Sequence, residues 1–197
     1  TDASFTQRVL NETTTALASK DYTIKIDVAG LNANTHYYYR FSTEFAITTT
    51  GQFKTLPIND VSHVKFAVFS CANYPAGHFN VYKAALALED LDAVVHLGDY
   101  IYEYGMGGYA TEHAQELNRS LAADNATELL TLTDYRKRYA LYRSDENLQA
   151  LHAKAAFIAI WDDHEVANDA YNDGAENHNA NEGDYKTRQN AALQAYF

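Results

Sequence analysis

Ala155-Ala156-Phe157-Ile158-Ala159-Ile160 runs straight into Trp161-Asp162-Asp163-His164-Glu165, and this junction sets the reading of the whole chain. An apolar run of that length ending in a burst of charge predicts a buried strand whose carboxyl end opens into a site. Three carboxylates and an imidazole crowded there repel one another and lose hydration unless a cation holds them. Single members have simpler roles open to them: Asp163 can cap a following helix, and His164 can be a satisfied core residue. Four consecutive ligand-type residues on one strand tip favour a metal.

Two further segments share the design. Asp92-Ala93-Val94-Val95-His96-Leu97 is apolar at its centre and leads into Gly98-Asp99-Tyr100-Ile101-Tyr102. A glycine before the acid lets the backbone turn sharply and approach a ligand. Asp99 can bridge two cations, because a carboxylate offers about four lone-pair sites. Tyr102 follows three residues later, about one turn if the loop coils, although a chain with 16 tyrosines puts most of them in its core. Upstream, His63-Val64-Lys65-Phe66-Ala67-Val68-Phe69 ends in Ser70-Cys71-Ala72-Asn73. Cys71 is the sole cysteine, so no internal disulfide forms. A small buried hydrophobe and a thiolate ligand are both open to it. In open α/β sheets ligands bind outside the carboxyl ends of the strands, which would gather these three tips.

Three blocks of the sequence, Ser70-Cys71-Ala72-Asn73-Tyr74, His96-Leu97-Gly98-Asp99-Tyr100-Ile101-Tyr102-Glu103-Tyr104-Gly105 and Trp161-Asp162-Asp163-His164-Glu165, resemble the signatures of PhoD-type alkaline phosphatases. Asp134-Tyr135-Arg136 and Tyr142-Arg143-Ser144-Asp145 are similar to that family as well. These enzymes are calcium- and iron-dependent members of the calcineurin-like metallophosphoesterase superfamily. The resemblance covers about residues 20 to 197. It implies Fe3+ on Cys71 and Tyr102, Asp99 as the acid bridging two metals, Asp163 as a further ligand and Asp162 as an additional calcium ligand. It implies that His164 steadies the phosphoryl oxygens or protonates the leaving group, with Asp99 beside it in the catalytic set. Asn73 carries over only as a neighbour. Thiolate and phenolate suit iron, and clustered carboxylates suit Ca2+. The expected chemistry is hydrolysis of a phosphate ester by metal-activated hydroxide, and no Gly-x-Ser-x-Gly elbow or Walker-type loop competes with it.

The net charge is −11, from 15 basic and 26 acidic residues, and Lys and Arg form no stripe. That disfavours binding to a nucleic-acid backbone. It also gives poor attraction for a phosphate anion, so bound cations must supply the local positive field. No segment approaches the ~18–20 apolar residues of a membrane span. The chain opens at Thr1 without methionine, so a true N-terminus processed away or cut is expected, and the family implies a secreted protein, extracellular or periplasmic. The sequence leaves the oligomeric state open.

Residues 1–58 have a different texture. Tyr22–Val28, Tyr37–Phe41 and Thr48–Thr55 are β-rich and separated by turns, similar to part of a fibronectin-like β-sandwich. From residue 61 to 197 strands alternate with helices, an α/β layout that the resemblance identifies as the first half of a metallophosphoesterase sandwich. Helices are predicted over Phe79–Leu88, from a Thr133-Asp134 cap to Tyr142, from Ser144-Asp145 to His152, around Glu112–Ala122, and from Gly183-Asp184 to Phe197. Gly105-Met106-Gly107-Gly108 reads as a mobile loop near the site mouth, and Asn168–Asp184 as a loop whose Asn168 is a turn residue or a calcium neighbour. Metal ligands of this superfamily also come from later strands, yet only His178 follows His164 and it sits in the Asn-rich loop. A fragment of a longer enzyme is therefore expected. The main alternatives are a calcium-binding adhesion or scaffold module, which has no use for thiolate and phenolate, and a lipid-directed phosphodiesterase.

Overall fold

A computed structural model describes residues 2–197. Its centre is a three-stranded parallel sheet, ordered β3 (Phe66–Phe69), β4 (Ala93–His96), β5 (Ala156–Ala159). Parallel neighbours need crossover connections, and here α1 (Asn80–Ala85) joins β3 to β4. The longer route from β4 to β5 carries α2 (Leu132–Tyr142) and α3 (Glu146–Lys154), and α4 (Tyr185–Tyr196) closes the chain. Phe69, His96 and Ala159 are register partners across the sheet, so the three strands end in one line. Whatever follows each strand emerges at the same edge.

One face of the sheet is packed and the other is open. Val94 and His96 are fully buried beneath Tyr82 of α1 and Leu148 and Leu151 of α3. The alternate residues Phe66, Val68 and Ile158 are each more than half exposed, and so is Ile160 just past β5. The run at 155–160 is thus half buried rather than fully buried, because layers cover only one side of a sheet type that ordinarily has both faces covered.

Local signals set the helix starts. Thr131 and Asp134 form a reciprocal capping box on α2, so the cap lies two residues earlier than the predicted Thr133-Asp134 start. Asp145 caps α3 through the N–H groups of Asn147 and Leu148, and Asp184 caps α4 through that of Thr187. The helix expected around Glu112–Ala122 is a series of turns, followed by a short 3-10 segment at Ala123–Asn125. Ala114 and Leu121 are buried, but Asn118 turns into a left-handed conformation (φ 54°) that ends any helix there, and Arg119 leaves the segment to stack over Tyr74 and pair with Asp145 at 2.7 Å.

The amino-terminal residues form one antiparallel strand pair, β1 (His36–Tyr39) with β2 (Gly51–Lys54), besides a single bridge between Ser42 and Ile47 and a 3-10 turn at Ala18–Lys20. Tyr22–Val28 is unpaired and largely exposed. Among the described residues no second sheet packs on this pair, so the fibronectin-like sandwich is not seen: two four-residue strands cannot enclose a core. The mixed α/β character holds for the rest of the chain. No helix among the described residues is long and apolar enough to cross a membrane.

Candidate metal centre

The chain emerges from β4 in a conformation that side chains resist. Gly98 has φ +103°, and a Cβ there would lie 2.5 Å from both the backbone nitrogen and the Cβ of Asp162. Only glycine allows the β4 and β5 tips to touch this closely. Asp99 and Cys71 both adopt left-handed φ, 54° and 58°. The β3 and β4 tips interlock through Cys71 N–H to the Gly98 carbonyl (3.2 Å) and Ala72 N–H to the Asp99 carbonyl (2.8 Å). Unfavourable backbone of this kind persists where surrounding contacts over-determine it, which is common at functional sites.

Glu165 ties the β4 and β5 tips together. It is 2 % exposed, and its carboxylate accepts N–H bonds from Asp99 (3.0 Å), Tyr100 (2.6 Å) and Asp162 (2.7 Å). Burial pushes it up to about 7 even though these donors favour its ionised form. Further back, the buried guanidinium of Arg138 donates to the carbonyls of Tyr102 and Tyr104, and of Asn125 and Thr127. The stretch after Asp99 is therefore held by one buried carboxyl group and one buried guanidinium.

The scaffold brings Asp99, Asp163 and His164 together, with one ligand-type atom from each lying within 4.8 Å of the others. The thiol of Cys71 and the phenol of Tyr102 both donate to Asp99 Oδ2 at 3.3 Å. Asp99 Oδ1 is buried without a hydrogen-bond partner. Asp162 is exposed beside Gly98 and stands outside the tight group. Burial raises Asp99 above the ordinary carboxylate range; Cys71 and His164 pull it down, while Asp163 and Asp162 push it up again. Burial and then the Asp99 charge push the Tyr102 phenol far above its usual value. A thiol, a phenol and a second carboxylate gathered at Asp99, whose Oδ1 is left without a partner, form a donor set that fits a cation.

Glu103 is the residue sequence reasoning missed. It is fully buried, and its Oε2 lies 2.8 Å from His164 Nδ1. Its Oε1 accepts from the Asn168 backbone and from the Asn177 amide, both at 2.7 Å. Burial pulls His164 down, but the Glu103 hydrogen bond and charge, with Asp163 and Asp99, outweigh it, and the imidazole sits above its ordinary value. With Nδ1 engaged, Nε2 is the free nitrogen. The only available signal was the glutamate following the Gly-Asp-x-x-Tyr block.

The remaining candidates have other duties. Asn73 accepts from the Tyr142 hydroxyl at 3.1 Å and donates to the Tyr109 carbonyl, so it braces the wall. Asn168 is engaged with Glu103 and Glu176. The Gly105–Gly108 segment is tied down: Met106 N–H bonds the Ala126 carbonyl, and a Cβ at Gly105 would meet the 126–128 backbone within 3 Å. Gly105 and Gly108 serve close packing, and Gly107 serves a left-handed turn at φ +88°.

Three parallel strand tips that gather these side chains make a ligand-binding edge of an α/β sheet, and the comparisons give its family. Residues 66–197 match the PhoD-like phosphatase model, residues 1–57 match the PhoD-like phosphatase N-terminal domain, and the chain belongs to this family. It is 40% identical over 198 residues to alkaline phosphatase D of Bacillus subtilis (strain 168), an alignment covering 100% of this chain and 33% of that protein. It also superposes on a solved structure of PhoD with a TM-score of 0.87 at 38% identity, over 99% of this chain and 36% of that one. The chain thus spans about a third of the length of these relatives.

Proposed function

We propose that this chain supplies the first metal-binding strand tips of a secreted phosphoric ester hydrolase, an alkaline phosphatase D-like enzyme acting on phosphate esters. The observation that carries the reading is the convergence of Asp99, Asp163 and His164 within 4.8 Å, with Cys71 and Tyr102 hydrogen-bonded to Asp99. On this reading residues 1–58 belong to an amino-terminal β domain and residues 61–197 to the catalytic α/β domain. Relatives three times as long leave room for further ligands on other segments.

Cys71, Asp99 and Tyr102 would hold Fe3+, with Asp99 shared, and Asp163 and Asp162 would serve Ca2+. Bound cations would supply positive charge for the phosphoryl oxygens and acidify water, at a site whose own charges repel an anion. The protein residues do the rest. Glu103 fixes the His164 ring through Nδ1 and favours its protonated form, leaving Nε2–H to donate to a phosphoryl oxygen or to the departing alkoxide. Tyr102 stacks on His164 at 4.2 Å and limits its rotation. Glu165 holds the backbone that presents Asp99.

Elemental analysis of the purified full-length protein, beside hydrolysis of a phosphate monoester and a diester, tests this. Iron with calcium and turnover are expected, and Asp99→Asn or Asp163→Ala should lose both. A colourless, calcium-only protein that cleaves neither ester would refute the reading.

A further inference from the structure

Beside the candidate metal centre lies a cleft of about 360 Å3 that shares Cys71 and Tyr102 with it. This exceeds the roughly 150 Å3 that can hold a benzene ring. In a chain with 26 acidic and 15 basic residues, none of the cleft's lining residues is Asp, Glu, Lys or Arg. Phe69 and Phe79 line it from the β3 side and Tyr102 and Tyr109 from the other.

Tyr109 stands at the mouth, 61% exposed. Its carbonyl is held by the Asn73 amide, which is itself fixed by the Tyr142 hydroxyl. Its ring is stacked near parallel to that of Tyr102, with centroids 6.1 Å apart and planes 20° apart. Tyr102 stacks in turn on His164. An aromatic column therefore runs from solvent to the imidazole that faces the reacting group.

Resting on the phosphohydrolase reading, we infer that this cleft is the subsite for the organic half of the ester, and that it selects a flat, uncharged, aromatic group with Tyr109 as its outer wall. A charged or polyhydroxylated group would lose hydration there, because no lining side chain is a carboxylate, ammonium or guanidinium, the Asn73 amide is already engaged, and only Ser70, His78 and tyrosine hydroxyls are left to replace water. A ring entering the cleft instead gains apolar area and a stacking partner.

The test compares phenylphosphonate, methylphosphonate and inorganic phosphate as inhibitors of the full-length protein. None of the three is turned over, so differences in leaving-group chemistry do not enter. Phenylphosphonate should bind more tightly than methylphosphonate, on the order of tenfold. Tyr109→Ala should erase most of that ratio while leaving the constants for methylphosphonate and phosphate, and the melting temperature, unchanged. Tyr109→Phe should keep the ratio. Equal inhibition by phenyl and methyl compounds, or a ratio untouched in Tyr109→Ala, overturns the subsite and leaves the phosphohydrolase reading standing. If none of the three anions inhibits, both fall.

Discussion

Removing Glu165 should cost more than its small side chain suggests, because it is the shared acceptor for two loops about 65 residues apart in sequence. In Glu165→Ala the N–H groups of Asp99, Tyr100 and Asp162 lose their acceptor in a site that is 2 % exposed. A buried donor left unsatisfied costs about 1–3 kcal/mol, so three of them, partly relieved by water entering the space, amount to about 3–5 kcal/mol. That is a large share of a domain stability of about 5–15 kcal/mol. Glu165→Gln is the informative partner. Its single oxygen can take the Oε2 position, where the Asp99 and Asp162 N–H groups arrive, and its amide then confronts only Tyr100 N–H. The expected loss is about 1–3 kcal/mol. Urea unfolding at pH 8, where the wild-type carboxylate is ionised, should rank wild type above Gln above Ala. The reasoning fails if Glu165→Ala unfolds within about 0.5 kcal/mol of wild type, the range of a neutral surface change.

Gly98→Ala should destabilise by more than about 2 kcal/mol or abolish metal binding, since the new methyl would meet the Asp162 backbone at 2.5 Å; thermal melts and a calcium titration check this. His164→Ala should lower turnover of the full-length protein by about 10²–10⁴-fold with metal content retained, and Glu103→Gln should show a smaller loss together with an acid-shifted alkaline limb in the rate profile. Stability should fall as pH drops below about 6.5, because burial holds His96 down to about 4 and His152 down to about 3. The sign follows from the unfolded chain binding protons that the folded chain refuses, so this stability is fully present above the unfolded value and is lost on acidification. The loss is about 2 kcal/mol per histidine between pH 7.5 and 5. His152→Gln, which keeps a polar end for the Tyr100 hydroxyl, should make unfolding measured across that range less pH-dependent.

Much of the candidate site was legible because its ligand-type side chains follow strands at short intervals. Once the parallel register lines up Phe69, His96 and Ala159, the residues just beyond them converge. Cys71, Asp99, Tyr102, Asp163 and His164 could therefore be named from the sequence, and capping side chains announced the starts of α3 and α4. The parts that were not legible depend on partners far away in sequence. Whether 155–160 is buried on one face or both depends on which layers cover the sheet, and whether Tyr22–Val28 becomes a strand depends on a neighbour to pair with. Residues 112–122 place Ala114, Leu117 and Leu121 at helical spacing, but the left-handed turn at Asn118 and the tertiary contacts of Arg119 set their path instead.

The sequence by itself determined the chemical kinds of group at the strand tips, the order of strands and helices around them, and the glycine without which two loops could not meet. Only the tertiary structure decided which carboxylates gather at the candidate metal centre and which accept from backbone. Glu103 and Glu165 are acids of the same signature blocks as Asp99 and Asp163, but they turn inward to hold an imidazole and three N–H groups. A carboxylate's role follows from what surrounds it when it leaves water, and that environment is assembled from segments up to 74 residues apart.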